Sequence, residues 1–210
     1  MLHQVVVLAG GASRRLGHDK IVAALADGTV LDALLDALDQ RLPGTPVVCV
    51  GPPRPTRRQV TWLIEDPPGG GPVAGLARAL DDVPDGAWLA VVAGDQPFAG
   101  PAMGLLAREA AVAPLDVDAV LALDGGRPQP LLAAYRAGPL RAAIGDDRAD
   151  RSVRSVVRAL RVREVQVPEG SAFDVDTTAD LERARARARG GVTQEREPAQ
   201  VKPPPPSRTS

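Results

Sequence analysis

Short runs of apolar, largely β-branched residues recur along the chain at 4–8, 46–50, 60–64, 87–93 and 117–123. Runs of this length predict buried strands. Between them the apolar positions switch to helical spacing, over Leu31 to Leu42, Val73 to Leu80 and Met103 to Ala113. Turn formers punctuate the pattern at Asp27-Gly28, Pro43-Gly44 and Pro84-Asp85-Gly86. Strands alternating with helices predict an α/β fold with a mainly parallel sheet covered by helices on both faces. Ligands of such sheets bind at the carboxyl ends of the strands.

The later chain is patterned differently. Arg127 to Arg136 carries two prolines, Pro128 and Pro130, and reads as an edge strand ending in an exposed arginine. The charged stretch 146–154 precedes an apolar pair and predicts a helix start, with Asp150 or Ser152 as N-cap. Alanine and arginine, both strong helix formers, alternate over 179–189 and predict a C-terminal helix. From Gly190 onward the composition turns polar and ends in Pro203-Pro204-Pro205-Pro206, which predicts disorder. The expected organisation is therefore one domain over 1–189 and a proline-rich tail over 190–210.

Composition narrows the function classes. A chain of 210 residues suffices for one sizeable α/β core. With 25 Lys and Arg against 26 Asp and Glu, it has no general attraction for nucleic acid or an anionic membrane, so any polyanion must be held locally. The single cysteine, Cys49, lies in an apolar run and predicts a buried thiol. No apolar stretch reaches membrane-spanning length and no signal-like segment opens the chain, so a cytoplasmic location is expected.

The first strand opens directly into Leu8-Ala9-Gly10-Gly11-Ala12-Ser13-Arg14-Arg15-Leu16-Gly17-His18-Asp19-Lys20. Glycines admit backbone N–H groups to anionic oxygens, and arginine and lysine supply neutralising charge, so this is the chemistry of a phosphate cradle. It is not the triphosphate P-loop, because Asp19 stands where that loop needs glycine, nor the dinucleotide fingerprint, because the glycines fall at 10, 11 and 17. The stretch resembles the signature L-A-G-G-x-S-x-R-x-G-x-D-K of nucleotidyltransferases related to molybdenum-cofactor guanylyltransferase. Further elements of that family have counterparts in the same order. Gly94-Asp95-Gln96-Pro97 is similar to its G-D-x-P motif, Gly71-Pro72-Val73-Ala74-Gly75-Leu76 to its G-P-L-A-G-[LM] element, and Asp174-Val175-Asp176 to its terminal acidic motif. Pro130-Leu131 with Tyr135 is similar to a segment near the expected acceptor.

The residues alone place Asp95 at the end of a central strand, where one or two carboxylates suffice for Mg²⁺ held against a triphosphate. Alternation puts Asp174 and Asp176 on one face of an expected short strand, while Thr177 or Thr178 with Asp180 also reads as a helix start. The resemblance implies a Rossmann-like three-layer fold of the nucleotide-diphospho-sugar transferase (GT-A) type, with Mg²⁺ on Asp95 and Asp176. It implies nucleotide contacts at Leu8, Ala9, Gly10, Gly11, Lys20, Asp66, Gly71, Gly75 and Asp95, and catalytic roles for Arg15, Lys20 and Asp95. The implied reaction joins GMP from GTP to the phosphate of molybdenum-bound molybdopterin, with molybdoenzyme apoproteins or other cofactor-biosynthesis proteins as further partners. Two features lean instead toward CTP: a loop one residue shorter at Gly17 than the guanylyl branch usually has, and the Asp174-Val175-Asp176-Thr177 sequence. A sugar-phosphate nucleotidyltransferase and a nucleotide-binding adaptor that delivers cofactor through its tail are the other readings.

Overall fold

The computed structural model describes residues 1–10, 19–146 and 148–194. Nine strands and six α-helices occur among them. The strands are β1 Leu2–Leu8, β2 Ala24–Leu25, β3 Gly28–Thr29, β4 Val47–Val50, β5 Thr61–Leu63, β6 Trp88–Ala93, β7 Ala119–Asp124, β8 Arg127–Arg136 and β9 Val162–Gln166. The helices are α1 Val30–Arg41, α2 Gly71–Ala79, α3 Gly100–Ala111, α4 Ala137–Ile144, α5 Val153–Val157 and α6 Thr178–Gln194.

Seven strands form one sheet in the order β5-β4-β1-β6-β8-β7-β9, and β2 pairs with β3 in a small separate ribbon. In the main sheet β8 alone runs against its neighbours. The period of two explains the three layers. Val5 and Val7 face one core with α1 and α3, through Leu31, Leu34, Leu35, Leu38, Met103 and Leu106. Val6 faces the other core with Leu76 of α2, Leu140 of α4 and Val156 of α5. All three valines are fully buried, which accounts for the unbroken apolar run of a strand covered on both sides.

Helix α1 starts at Thr29, whose side chain accepts from the Asp32 N–H while Asp32 returns a bond to the Thr29 N–H. Helix α5 starts at Ser152, one of the two residues read as its cap, whose hydroxyl accepts from Ser155 N–H at 3.3 Å. Asp150, the other, sits two residues earlier with a positive φ of 54°.

Several sequence expectations are corrected. The proline-bearing segment is not an edge strand: β8 lies inside the sheet between β6 and β7. Its prolines are tolerated because β6 pairs only with Leu132 to Arg136, leaving Pro128 and Pro130 without a strand neighbour on that side. Nor does Arg136 hang free, since its guanidinium stacks 4.6 Å over the Trp88 ring and donates to the Val117 and Pro114 carbonyls. Residues 173–177 form no strand. Their one backbone bond to the chain after β6 runs from the Val175 N–H to the Asp95 carbonyl at 3.0 Å. Helix α6 continues through Gly190 to Gln194, five residues past the boundary set by composition, and residues 195–210 of the expected tail lie outside the described residues. No helix among the described residues is long and apolar enough to cross a membrane.

Cys49 lies fully buried on β4. Burial pushes its thiol up to about 12. Little thiolate is present in the native protein near neutral pH. Thiol reagents are therefore expected to leave the folded protein unmodified and to react with one equivalent once denaturant unfolds it; a native-state reaction at a free-cysteine rate would contradict the packing of β4.

Candidate active site

A cavity of about 900 Å³ opens at the carboxyl ends of the parallel strands. Leu8 and Gly10 come to it from the end of β1, Val50, Pro52 and Arg54 from the end of β4 and the chain after it, Glu65 from beyond β5, and Ala93 and Asp95 from the end of β6 and just past it. Gly69, Gly71, Pro72 and Gly75 line it from α2 and the loop before it, and Leu131 from β8. Lys20, Ile21 and Asp176 complete the wall.

Glycine is required where backbone segments meet above this floor. Gly51 follows β4 with φ of 136°, and a Cβ there would stand 2.8 Å from the Gly10 nitrogen. At Gly75 a Cβ would meet Leu8 Cδ2 at 3.0 Å, so the helix lies close over β1.

The charged centre is built by three segments. Asp19 accepts from Ile21 N–H and so starts the short 3₁₀ turn Lys20–Val22. Arg54 donates its Nε to Asp19 at 2.6 Å, fixing that turn to the chain after β4. From the turn the Lys20 ammonium bridges two carboxylates, bonding Asp176 at 2.7 Å and pairing with Asp95. Burial pulls the Lys20 pKa down, but the hydrogen bonds and charges of Asp176 and Asp95 outweigh it and hold the group above the usual lysine range.

Asp95 is 13% exposed, and its Oδ1 is buried without a hydrogen-bond partner among the described residues. It does not cap the following helix, because α3 begins after Ala99. Asp174 accepts from Gln96 Nε2 at 2.9 Å. Burial, and then the Asp95 charge, push its carboxyl up to about 6. Asp176 is 45% exposed and open to a ligand. Directly after it, Thr177 and Asp180 exchange bonds as a capping box that starts α6. The acidic motif thus both anchors a helix and delivers carboxylates to the site.

Among the described residues no group of three or more His, Cys, Asp or Glu is arranged to hold a metal ion on its own. The donors nevertheless suit a hard cation shared with substrate. Asp95 has an orphaned buried oxygen, Asp176 faces the cavity, and an ammonium already bridges the pair. A small divalent ion that takes one or two carboxylates and completes its shell from phosphate and water fits that set.

Of the residues expected from sequence, Leu8, Gly10, Lys20, Gly71, Gly75, Asp95 and Asp176 line the cavity together. Ala9 is buried beneath it, its N–H donated to the Val50 carbonyl. Asp66 is exposed and is not among the lining residues; its neighbour Glu65 is. Gly11 and Arg15 lie outside the described residues. Glu65 and Arg54 were not anticipated. The one signal for Glu65 was a charge following the apolar run 60–64; the one for Arg54 was a cation just past a strand end.

The chain is 30% identical over 140 residues to a protein of Bacillus thuringiensis (strain Al Hakam) named probable molybdenum cofactor guanylyltransferase. That match covers 62% of this chain and 66% of the relative, so slightly less than two thirds of the relative is spanned. Among solved structures, molybdopterin-guanine dinucleotide biosynthesis protein A of Archaeoglobus fulgidus superposes with a TM-score of 0.70 at 22% identity, covering 89% of this chain and 99% of that one. The 2-C-methyl-D-erythritol 4-phosphate cytidylyltransferase of Thermus thermophilus superposes with a TM-score of 0.65 at 24% identity, covering 90% of this chain and 100% of that one. These likenesses bear out the three-layer, mainly parallel α/β fold. The MobA-like NTP transferase domain family matches residues 5–165, most of the sheet and every strand end that lines the cavity, and the chain belongs to that family.

Proposed function

We propose that the chain is a Mg²⁺-dependent nucleotidyltransferase that moves GMP from GTP to the phosphate of molybdenum-bound molybdopterin, releasing pyrophosphate. The observation that carries this reading is the constellation of Lys20 from the 3₁₀ turn, Asp95 just past β6 and Asp176 before α6, facing a nucleotide-sized cavity floored by Gly10. The family and the name of the Bacillus relative support the acceptor. The fold does not choose the base, since a cytidylyltransferase shares it.

A phosphate acceptor is already ionised near neutral pH, so the protein's task is to align it with the α-phosphorus and to neutralise charge. Lys20 would turn from the carboxylates to the departing pyrophosphate, and the Gly10 backbone would face the triphosphate. Asp95 and Asp176 would hold Mg²⁺, which would offset charge on the phosphate oxygens. Asp19 and Arg54 fix the turn from which Lys20 projects, so they position the lysine.

The test is pyrophosphate release by the full chain with Mg²⁺ and molybdenum-bound molybdopterin, supplied with GTP, CTP or ATP. Release with GTP is the expected result. Release with CTP alone would assign a cytidylyltransferase, and release only with a sugar phosphate as acceptor would overturn the molybdopterin reading.

A further inference from the structure

We infer that Arg183 and Arg187 of α6 are positioning residues: stacked on Phe173 and Phe98, they set the separation of the Asp95 and Asp176 carboxylates. The inference rests on the metal role proposed for those two residues and adds what aligns them. The main sheet places only Asp95 directly, just past β6. The turn of Lys20 and the segment of Asp176 belong to no strand of that sheet, so another part of the fold must bring them into line.

A small third core does so. Ala23 and Leu25, which follow the Lys20 turn, are buried together with Val175, next to Asp176, and with Leu181 and Ala184 of α6. Phe98 and Phe173 pack against this cluster. Phe98 stands three residues past Asp95 and Phe173 three before Asp176, so the two rings, 6.1 Å apart between centroids, join the acidic segments. Alanine brings little apolar area, so such a core needs further ties.

The arginines of α6 supply them. The Arg187 guanidinium lies 4.1 Å over the Phe98 ring and that of Arg183 5.4 Å over the Phe173 ring. One helical turn separates the two arginines, and the rings they cover are neighbours. Arg187 also donates to the Gly170 carbonyl at 2.8 Å. A Cβ at Gly170 would stand 2.8 Å from Arg187 Nη1, so glycine keeps that seat open. Asp124 fixes the same loop from the end of β7, accepting the Gly170 and Ala172 N–H groups. Arg185 reaches the remaining segment, donating Nε and Nη2 to the Ala24 carbonyl at 3.1 and 3.0 Å.

Ion pairs along the helix do not account for this pattern. Arg183 pairs with Asp180 and Arg185 with Glu182, but exposed pairs of that kind contribute little and lysine would serve them as well. Contacts to a ring face and a forked donation to one carbonyl call for a planar guanidinium, and α6 uses arginine and no lysine. The family match ends at residue 165, so all of α6 lies beyond the matched residues.

Equilibrium binding of Mn²⁺ to the full chain with GTP tests the inference, beside turnover at saturating Mg²⁺. The variant carries Arg183→Gln and Arg187→Gln, which remove both guanidinium groups and keep helix propensity. It is expected to bind Mn²⁺ about tenfold more weakly and to turn over about tenfold more slowly, because small displacements of a reacting centre are costly. GTP affinity without metal should stay within about twofold, and the melting temperature should fall by about 3 °C or less, since exposed cation–π contacts add little to global stability. Arg163→Gln, which removes an arginine paired with Glu109 at the far edge of the sheet, is the control and should change none of these. Unchanged Mn²⁺ affinity in the double variant would overturn the positioning role and leave the metal reading standing. So would a loss that merely follows a large fall in melting temperature. Mn²⁺ affinity equal in the natural protein and in Asp95→Ala would overturn the metal reading, and the positioning role with it.

Discussion

Asp95→Ala is expected to lower turnover by about two to three orders of magnitude, the scale of removing one preorganised electrostatic partner. The side chain is nearly enclosed, and its Oδ2 pairs with the Lys20 ammonium while Oδ1 awaits a partner. A ligand charge placed there is weakly screened by water, so its loss is felt almost in full. The fold should survive, because the Val175 N–H donates to the Asp95 backbone carbonyl, and that bond remains in the variant. Asp176→Asn should cost less, since Asp176 stands half in solvent. Combining Asp95→Ala with Lys20→Ala should cost far less than the sum of the two, as groups acting as one unit do. Pyrophosphate release, with thermal melting as the folding control, checks all four proteins. Near-normal turnover in a folded Asp95→Ala protein would remove the metal role assigned to that residue.

Gly51→Ala should damage both stability and nucleotide binding. A φ of 136° is rare for any residue with a side chain, and such strain costs on the order of 1–3 kcal/mol. Sterics add to it. The new methyl would lie 2.8 Å from the Gly10 nitrogen and 2.9 Å from the Ala9 carbonyl carbon, both backbone atoms that cannot swing aside. Relief requires the Ala9-Gly10 backbone to move, and that backbone floors the nucleotide cavity. Denaturant titration should show a loss of about 2–4 kcal/mol. GTP affinity, measured where the variant is still folded, should drop as well. A variant with natural stability would mean that the strands can separate here without cost.

Most of this site was legible before any coordinates because it lies at strand ends, and strand ends are written locally. The apolar run before Gly10 and the one before Gly94-Asp95 each announce where a buried strand stops and a polar group must face a ligand. Lys20 followed from its place after the glycine loop. What remained hidden depends on contacts distant in sequence. The burial of Glu65 is set by the Gly69 loop and the approach of Gly10. Arg54 gains its meaning from Asp19, thirty-five residues earlier in the chain. The interior place of β8 was obscured by prolines whose missing N–H groups matter only if a neighbouring strand reaches them, and β6 stops short. The segment around Val175 alternates like a strand, yet it pairs with no strand and reaches the chain after β6 through the Val175 N–H alone. Strand β9 went unnoticed because it is short, charged and largely exposed at the edge of the sheet.

The Lys20 bridge has a consequence for how ligands arrive. The fold carries its own counter-ion: an ammonium that offsets part of the charge of Asp95 and Asp176. A cation alone must evict that ammonium, and a polyphosphate alone must draw it away from two carboxylates that then repel each other. Together the two ligands would exchange partners with the protein, the proposed cation taking the carboxylates and the ammonium the phosphate. Each arrival thereby lowers the cost of the other, by the same free energy in either order.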